Sequence, residues 1–146
     1  MKSKRFEPLR DLAMDAATAA RRSLLEAERR VAELERQMAQ LRAYRDEYVG
    51  KAAQPGGAMD VVSLRNHRQF LDRLSEALRI HAQHLGVARA DCEARRTQWT
   101  AKRVEAESLN RAVERYRHEE RRNADRIEQR DSDETALRVA RSRREG

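Results

Sequence analysis

The sequence has few of the residues that build a compact core or interrupt a helix. Of its 146 residues, two are Pro, five are Gly and one is Cys, and aromatic residues make up 4%. Ile, Phe, Tyr and Trp together number eight, against 23 Ala and 13 Leu. Large apolar side chains are therefore too scarce for a globular core. The abundant Ala, Leu, Arg, Lys and Glu instead favour a long helix or a coiled coil.

Long apolar runs and a local excess of one charge are also missing. No apolar run approaches the ~20 residues of a membrane span, and the start of the chain lacks the uncharged core of a secretion signal. The net charge of +7 is spread among interleaved acids, which is typical of a solvated helix face and not of a phosphate-binding arm. The single Cys92 cannot form an internal disulfide. We expect a cytosolic protein that binds no nucleic acid.

Motifs for catalysis or metal binding are absent as well. GKAAQPGG lacks the spacing of a phosphate-binding loop. His81 and His84 lie one helical turn apart, but no neighbouring Cys, Asp or Glu completes a ligand set. Cys92 occupies an apolar position of the pattern described next, where a small buried thiol is the ordinary explanation. The sequence predicts no catalytic residue, no metal and no cofactor, and therefore no enzyme.

What the sequence does contain is a heptad pattern on both sides of GKAAQPGGAMD (Gly50 to Asp60). Apolar residues recur there in alternating steps of three and four, which is the seam of a coiled coil. The first seam consists of Ala17, Ala20, Leu24, Ala27, Val31, Leu34, Met38, Leu41, Arg45 and Tyr48. The second consists of Leu71, Leu74, Leu78, His81, Leu85, Ala88, Cys92, Arg95, Trp99, Lys102, Ala106, Leu109, Val113 and Tyr116.

The ends of the two predicted helices follow from proline and capping signals. Pro8 is expected in the first turn of the first helix, where its missing N–H has no partner anyway. Pro55 cannot continue that helix and ends it. Asp60 is a candidate cap for the second helix, with Met59 and Leu64 spaced as a hydrophobic staple around it.

These signals predict an all-α protein that forms one antiparallel two-helix coiled-coil hairpin over residues 1–146. The first helix spans about 7–50, the hinge about 51–60 and the second helix about 61–142. Both seams face each other when the numbers of paired residues add up to 112 or to 119, and the sequence leaves both registers open.

Either register leaves the last ~35 residues of the second helix without a partner in this chain, a protrusion of roughly 50 Å. Charge pairs such as Arg121 with Asp125 give such a helix only weak support. Its apolar residues therefore predict a face that docks on another protein. Together with the start of the first helix, the candidate residues are Phe6, Leu9, Leu109, Val113, Tyr116, Ile127 and Leu137.

A second candidate surface, the aromatic stripe, lies toward the hinge. It combines two sets of residues that are each spaced 4-3-4 and that mirror each other about the hinge. Tyr44 and Phe70 do not lie at seam positions, so burying them requires another partner. In the alternative, purely structural interpretation, the seam residues of the stripe only fill the core of the coiled coil. The stripe consists of Gln37, Leu41, Tyr44, Tyr48, Phe70, Leu74, Ala77 and His81.

Five segments resemble one family over essentially the whole chain. RFEPLRDLA, QLRAYRDEYVG before the hinge, FLDRLSEALRIH after it, the single Trp99 and RIEQRDSDETALR are similar to FliJ, a coiled-coil component of the bacterial flagellar export apparatus. The resemblance implies a hairpin like the central stalk of rotary ATPases. It also implies insertion into the ring of the hexameric flagellar export ATPase, contact with the membrane export-gate protein, and binding and recycling of export chaperones.

The resemblance assigns each candidate surface a partner. The aromatic stripe matches the family's patch for the export gate position by position, and the end of the hairpin with the unpaired helix would enter the ATPase ring. Membrane association would then be peripheral, on the cytoplasmic face of the inner membrane, and only through partners. Three alternatives stay open: the equivalent stalk of a virulence secretion system, a basic coiled coil that binds nucleic acid, and a homodimeric scaffold.

Overall fold

The computed structural model describes residues 1–52 and 60–145, and these form two long α-helices and no strand. Helix α1 spans Lys2–Ala52 and helix α2 spans Val61–Glu145. The predicted hinge residues between them, including Pro55 and Met59, lie outside the described residues. The protein is all-α, and its two helices pack against each other as a coiled-coil hairpin, as predicted.

The chain divides into two compact units, and both helices contribute to each. The central unit is Ala19–Trp99, and the terminal unit combines Met1–Thr18 with Thr100–Gly146. Within each unit, contacts between the helices run to lower numbers in α2 as they run to higher numbers in α1. Glu28 meets Arg96 and Glu35 meets Arg89 in the central unit, for example. The helices are therefore antiparallel.

The interface between the helices is the predicted heptad seam. All ten predicted seam residues of α1 are buried or half-buried, and so are those of α2 apart from Lys102. The long side chain of Lys102 turns its ammonium outward, where Nζ lies 3.9 Å from Glu105, because a seam lysine gains more from hydration than from burial. In the central unit, Leu24, Ala27 and Cys92 form a buried cluster with Trp99 packed against it.

The contacts in both units agree with the register in which paired residue numbers add up to 119. We write the heptads abcdefg with the seam at a and d, which places Ala27 opposite Cys92 and Ala20 opposite Trp99. The e positions then flank the seam on one side, and in three places they join a Glu of α1 to an Arg of α2. The three pairs are Glu7–Arg117 at 2.6 Å, Glu28–Arg96 at 3.4 Å and Glu35–Arg89 at 3.1 Å.

The start of α1 differs from the sequence prediction. The helix begins at Lys2 and not near residue 7, so Pro8 lies inside the helix and not in its first turn. Residues ahead of the proline gain contacts with α2 that compensate for the lost backbone hydrogen bond. The ring of Phe6 stacks on Tyr116 with centroids 5.2 Å apart. The rule that places proline in the first turn of a helix is local and does not take a distant partner such as Tyr116 into account.

The start of α2 agrees with the predicted cap. Asp60 accepts a hydrogen bond through Oδ1 from the backbone N–H of Ser63, at 2.7 Å, and its carbonyl accepts one from Leu64 at 3.0 Å. The bonds from Ser63 lower the pKa of the Asp60 carboxyl, since they favour its charged form. Such a cap satisfies a backbone donor that the first turn would otherwise leave unpaired.

Beyond Glu120, α2 has no cover. Every described residue from Arg121 to Glu145 is exposed, and we call this segment the overhang. It is shorter than the roughly 35 residues expected from a helix that starts at Pro8, because the earlier start of α1 covers α2 as far as Glu120. At 1.5 Å per residue the overhang is about 37 Å long.

Candidate partner-binding surfaces

The aromatic stripe lies along the flank of the central unit that is opposite the Glu–Arg pairs. Tyr44 of α1 and Phe70 of α2 both occupy g positions, and their rings meet edge to face with centroids 6.0 Å apart. Phe70 also contacts Tyr48 of the seam, at 4.5 Å. The sequence had placed Tyr48 and Phe70 at the same level, and the structure brings these two rings together and adds Tyr44 as a further neighbour of Phe70.

The burial of the stripe separates residues that are available from residues that fill the seam. The side chain of Tyr44 is 54% exposed, and Gln37 and Ala77 are exposed as well. Leu74 is buried, whereas Leu41, Tyr48, Phe70 and His81 are half-buried. Tyr44 and its exposed neighbours are thus accessible to a partner. The seam residues beneath them, including Tyr48, pack against Phe70 and fix its position.

Two histidines shape the seam beneath the stripe. Nε2 of His81 lies 3.0 Å from the carbonyl oxygen of Leu34 on α1, and it must carry a proton there because a carbonyl only accepts. His67 is buried and stacks on Tyr48 with centroids 4.3 Å apart and ring planes at 11°. The sequence reasoning missed His67, although it lies four residues before Leu71 and continues the seam pattern backwards.

In the terminal unit, a set of contacts that we call the clasp joins the first turns of α1 to α2. Ser3 donates twice to the carboxylate of Glu120, from its N–H at 3.1 Å and from its hydroxyl at 2.6 Å. Glu7 and Arg117 form an ion pair, and the ammonium of Lys2 lies 5.7 Å from the centre of the Tyr116 ring. The clasp marks the last level at which α1 covers α2.

The clasp shifts two pKa values in the directions that its hydrogen bonds require. The hydroxyl and N–H of Ser3 lower the pKa of the Glu120 carboxyl, because both donate to the charged form. The hydrogen bond to Glu7 raises the pKa of Arg117. Both groups are therefore charged at neutral pH.

The predicted docking face around the terminal unit is only partly available. Val113 is completely buried, Leu109 is half-buried, and Phe6 and Tyr116 stack on each other. These four residues were expected to dock on another protein, but α1 reaches far enough to cover them and they join the two helices instead. Three of the predicted residues keep exposed side chains: Leu9 at 50%, and Ile127 and Leu137 at 60% each.

A shallow groove extends the exposed part of this face between the helices of the terminal unit. It is lined by apolar residues of α1 and by Lys102, Glu105 and Leu109 of α2. Leu12, on its rim, is 69% exposed. The α1 residues that line it are Leu9, Leu12, Ala13 and Ala16.

Comparison with protein-family models decides the assignment, because the model of the flagellar FliJ protein matches residues 1–145. The chain belongs to the FliJ family. It is therefore a component of the flagellar protein export apparatus. No curated protein and no solved structure matched the chain. The FliJ match includes both the aromatic stripe and the overhang, so neither surface is an appendage outside the family's length.

Two further searches concern the described part of this FliJ chain. Across residues 1–52 and 60–145, neither helix contains a segment that is both long and apolar enough to cross a membrane. Within the same residues, no three His, Cys, Asp or Glu side chains lie close enough together to share a metal ion. His81 is engaged with a backbone carbonyl of α1 instead.

Proposed function

We propose that this chain is a non-enzymatic coupling stalk, which joins the hexameric flagellar export ATPase to the membrane export gate. The observation that carries the proposal is that each of the two units has an exposed surface of its own, the aromatic stripe in the central unit and the overhang in the terminal unit. Each has apolar side chains that this chain leaves exposed. The match to the flagellar FliJ model supports the flagellar system over its virulence counterpart.

The aromatic stripe is the proposed contact with the export gate. Its exposed Tyr44 presents a large ring and a hydroxyl, which together suit a specific interface, and the seam fixes its neighbours Tyr48 and Phe70. Gln37 and Ala77 are exposed and extend the proposed contact surface beside Tyr44. Leu41, Leu74 and His81 support the surface from within the seam.

The terminal unit is the proposed contact with the ATPase ring. Leu9 and Leu12 on the groove and Ile127 and Leu137 on the overhang are the exposed apolar residues that this interface would cover. Phe6, Leu109, Val113 and Tyr116 contribute indirectly, since they hold α1 against α2 at the base of the overhang. The resemblance to FliJ also supports binding and recycling of export chaperones at the membrane's cytoplasmic face.

A binding assay with the purified cytoplasmic part of the export gate tests the stripe. We expect Tyr44→Ala combined with Phe70→Ala to abolish binding while leaving the far-UV circular dichroism helical, because neither residue belongs to the seam and the seam stays unchanged. Leu25→Ala combined with Ile80→Ala is the matched control. These two residues are also apolar, exposed and within the central unit but lie off the stripe. Equal binding by the two double variants would refute the stripe.

The proposal as a whole is tested by co-purification with the export ATPase of the same cell, followed by ATP hydrolysis assays with and without this chain. We expect stable co-purification and faster hydrolysis when the chain is present. The same preparation should show no salt-sensitive affinity for DNA, because the positive charges of the chain are interleaved with acids and several are paired with them.

A further inference from the structure

The overhang continues the heptad of the paired part of α2, but its seam positions mix apolar and charged residues. Ile127 and Leu137 lie at a and d positions, and Arg130 and Glu134 lie between them, also at d and a. All four are exposed. A helix with this pattern exposes two apolar residues to water, with one positive and one negative residue between them. A partner must therefore bury the apolar residues and place an opposite charge against each charged one.

We propose that the overhang docks antiparallel on the overhang of a second copy of this chain, with Ser132 at the level of the twofold axis. In that register, Ile127 of each copy faces Leu137 of the other. Arg130 of each copy then faces Glu134 of the other. A single register therefore matches both apolar residues and both charges. The proposal does not rest on the proposed contacts with the ATPase or the export gate.

The residues that flank the seam are complementary in the same register. Asp131 and Arg138 occupy e positions and face each other between the two copies. Arg126 and Asp133 occupy g positions on the other flank and also face each other. The two-copy arrangement therefore has opposite charges on both flanks, each pair occurring twice because of the twofold symmetry.

The hairpin itself shows that residues at these offsets make contact in this protein. Its e positions meet as Glu7–Arg117 and Glu35–Arg89, at 2.6 and 3.1 Å. Its g positions meet as Tyr44 and Phe70. The proposed pairs repeat these offsets from the seam, so they need no geometry that the chain does not already adopt.

Other arrangements of two overhangs leave the charges mismatched. A parallel pair places Arg130 against Arg130 and Glu134 against Glu134, and like charges at seam positions are destabilising. Antiparallel registers shifted by one heptad place Ile127 opposite Arg130 or Glu134 opposite Leu137. The match at Ser132 is therefore specific to one orientation and one register.

The predicted association is weak, because only two apolar layers are buried and the ion pairs are exposed. We expect a dissociation constant of roughly 0.1 mM. High salt should weaken it further, since exposed ion pairs are screened. A partner that covers Ile127 and Leu137 would compete with the second copy, and an association this weak would yield to such a partner.

Sedimentation equilibrium of the full chain tests the proposal through a charge swap. Arg130→Glu and Glu134→Arg should each weaken self-association by about tenfold or more, because each places like charges in the seam. An equimolar mixture of the two variants should associate again, since Glu at 130 then faces Arg at 134 between unlike chains. Arg122→Glu, the same change at an overhang position away from the seam, should have little effect.

Cross-linking supplies an independent measurement in a Cys92→Ala background. Glu134→Cys should form a disulfide-linked dimer on mild oxidation, because seam positions of the same type meet across the helices, as Ser3 and Glu120 do in the hairpin. Ser132→Cys, on the outer side of the helix, should not. A wild-type chain that stays monomeric at several times the expected dissociation constant, or single variants that do not recover on mixing, would overturn the proposal.

Discussion

Val113 and Ile127 occupy equivalent a positions of α2, two heptads apart, yet their environments are opposite. The side chain of Val113 is completely buried, whereas that of Ile127 is 60% exposed. Both residues are β-branched and apolar, and both continue the same seam. The difference arises because α1 reaches back only as far as Glu120, through Ser3. Contact with α1 therefore separates the buried part of the α2 seam from its exposed part.

The largest expected effect comes from placing a charge at each of these two positions. Val113→Asp should lower the free energy of unfolding by about 3–5 kcal/mol, because it buries an unpaired carboxylate. Ile127→Asp should change it by less than about 0.5 kcal/mol, as an exposed substitution does. Thermal unfolding followed by circular dichroism measures both. Similar losses for the two variants would mean that the overhang is covered in the isolated chain.

A smaller, local effect is expected from removing the clasp. Ser3→Ala combined with Glu120→Gln eliminates the hydroxyl donor and the carboxylate charge, so the first turns of α1 should fray while the central unit stays intact. Hydrogen exchange should then speed up over residues 2–10 and around Arg117, and nowhere in residues 24–48. Exchange that accelerates throughout both helices would show that the clasp stabilises the whole hairpin and not its end alone.

Acid should open the same clasp without a mutation. The pKa of Glu120 is lowered in the folded chain by its bonds from Ser3, so this contribution to stability is present above the carboxyl's ordinary pKa of 4.5. It is lost as the pH falls through the lowered value. NMR should show the protection factor of the Ser3 N–H, which corrects for the intrinsic pH dependence of amide exchange, falling in that window, and Glu120→Gln should remove this fall. A pH-independent signal in the wild type would contradict the assignment.

The smallest expected effect belongs to the flanking ion pairs. Glu35 and Arg89 are both about half exposed, and exposed pairs typically contribute 0.2–1 kcal/mol. A double-mutant cycle with Glu35→Ala and Arg89→Ala should therefore give a coupling energy of about 0.5 kcal/mol that decreases in high salt. A coupling energy well above 1 kcal/mol would mean that this ion pair helps to specify the register of the hairpin.

The part of this fold that follows from local pattern could be predicted from sequence. The seam residues Leu24, Leu34, Leu78 and Leu85 recur with the heptad, and the capping role of Asp60 follows from its place just before the second helix. The meeting of Tyr48 with Phe70 was predicted because the two sets of stripe residues mirror each other about the hinge, whereas the contact between Tyr44 and Phe70 was not. These features depend on the spacing of residues along the chain, which can be read directly from the sequence.

The features that were missed depend on contacts between distant segments. Pro8 is a local signal for a helix start, yet stacking between Phe6 and Tyr116 extends the helix ahead of it. The bonds from Ser3 to Glu120 join two polar residues at positions that continue the seams, where the apolar pattern gives no signal. The extra turns bring Phe6 onto Tyr116, and the residues of the predicted docking face that stay exposed are Leu9, Ile127 and Leu137.

The proposed coupling function depends most directly on the overhang, so the decisive measurement is ATP hydrolysis by the export ATPase with a chain that ends at Arg121. This variant keeps Glu120 and the whole clasp, and hydrogen exchange can verify that the hairpin is intact. We expect this variant to stimulate hydrolysis much less than the full chain does, and Tyr44→Ala combined with Phe70→Ala to stimulate it fully. Full stimulation by the shortened chain would show that the overhang is not needed for coupling.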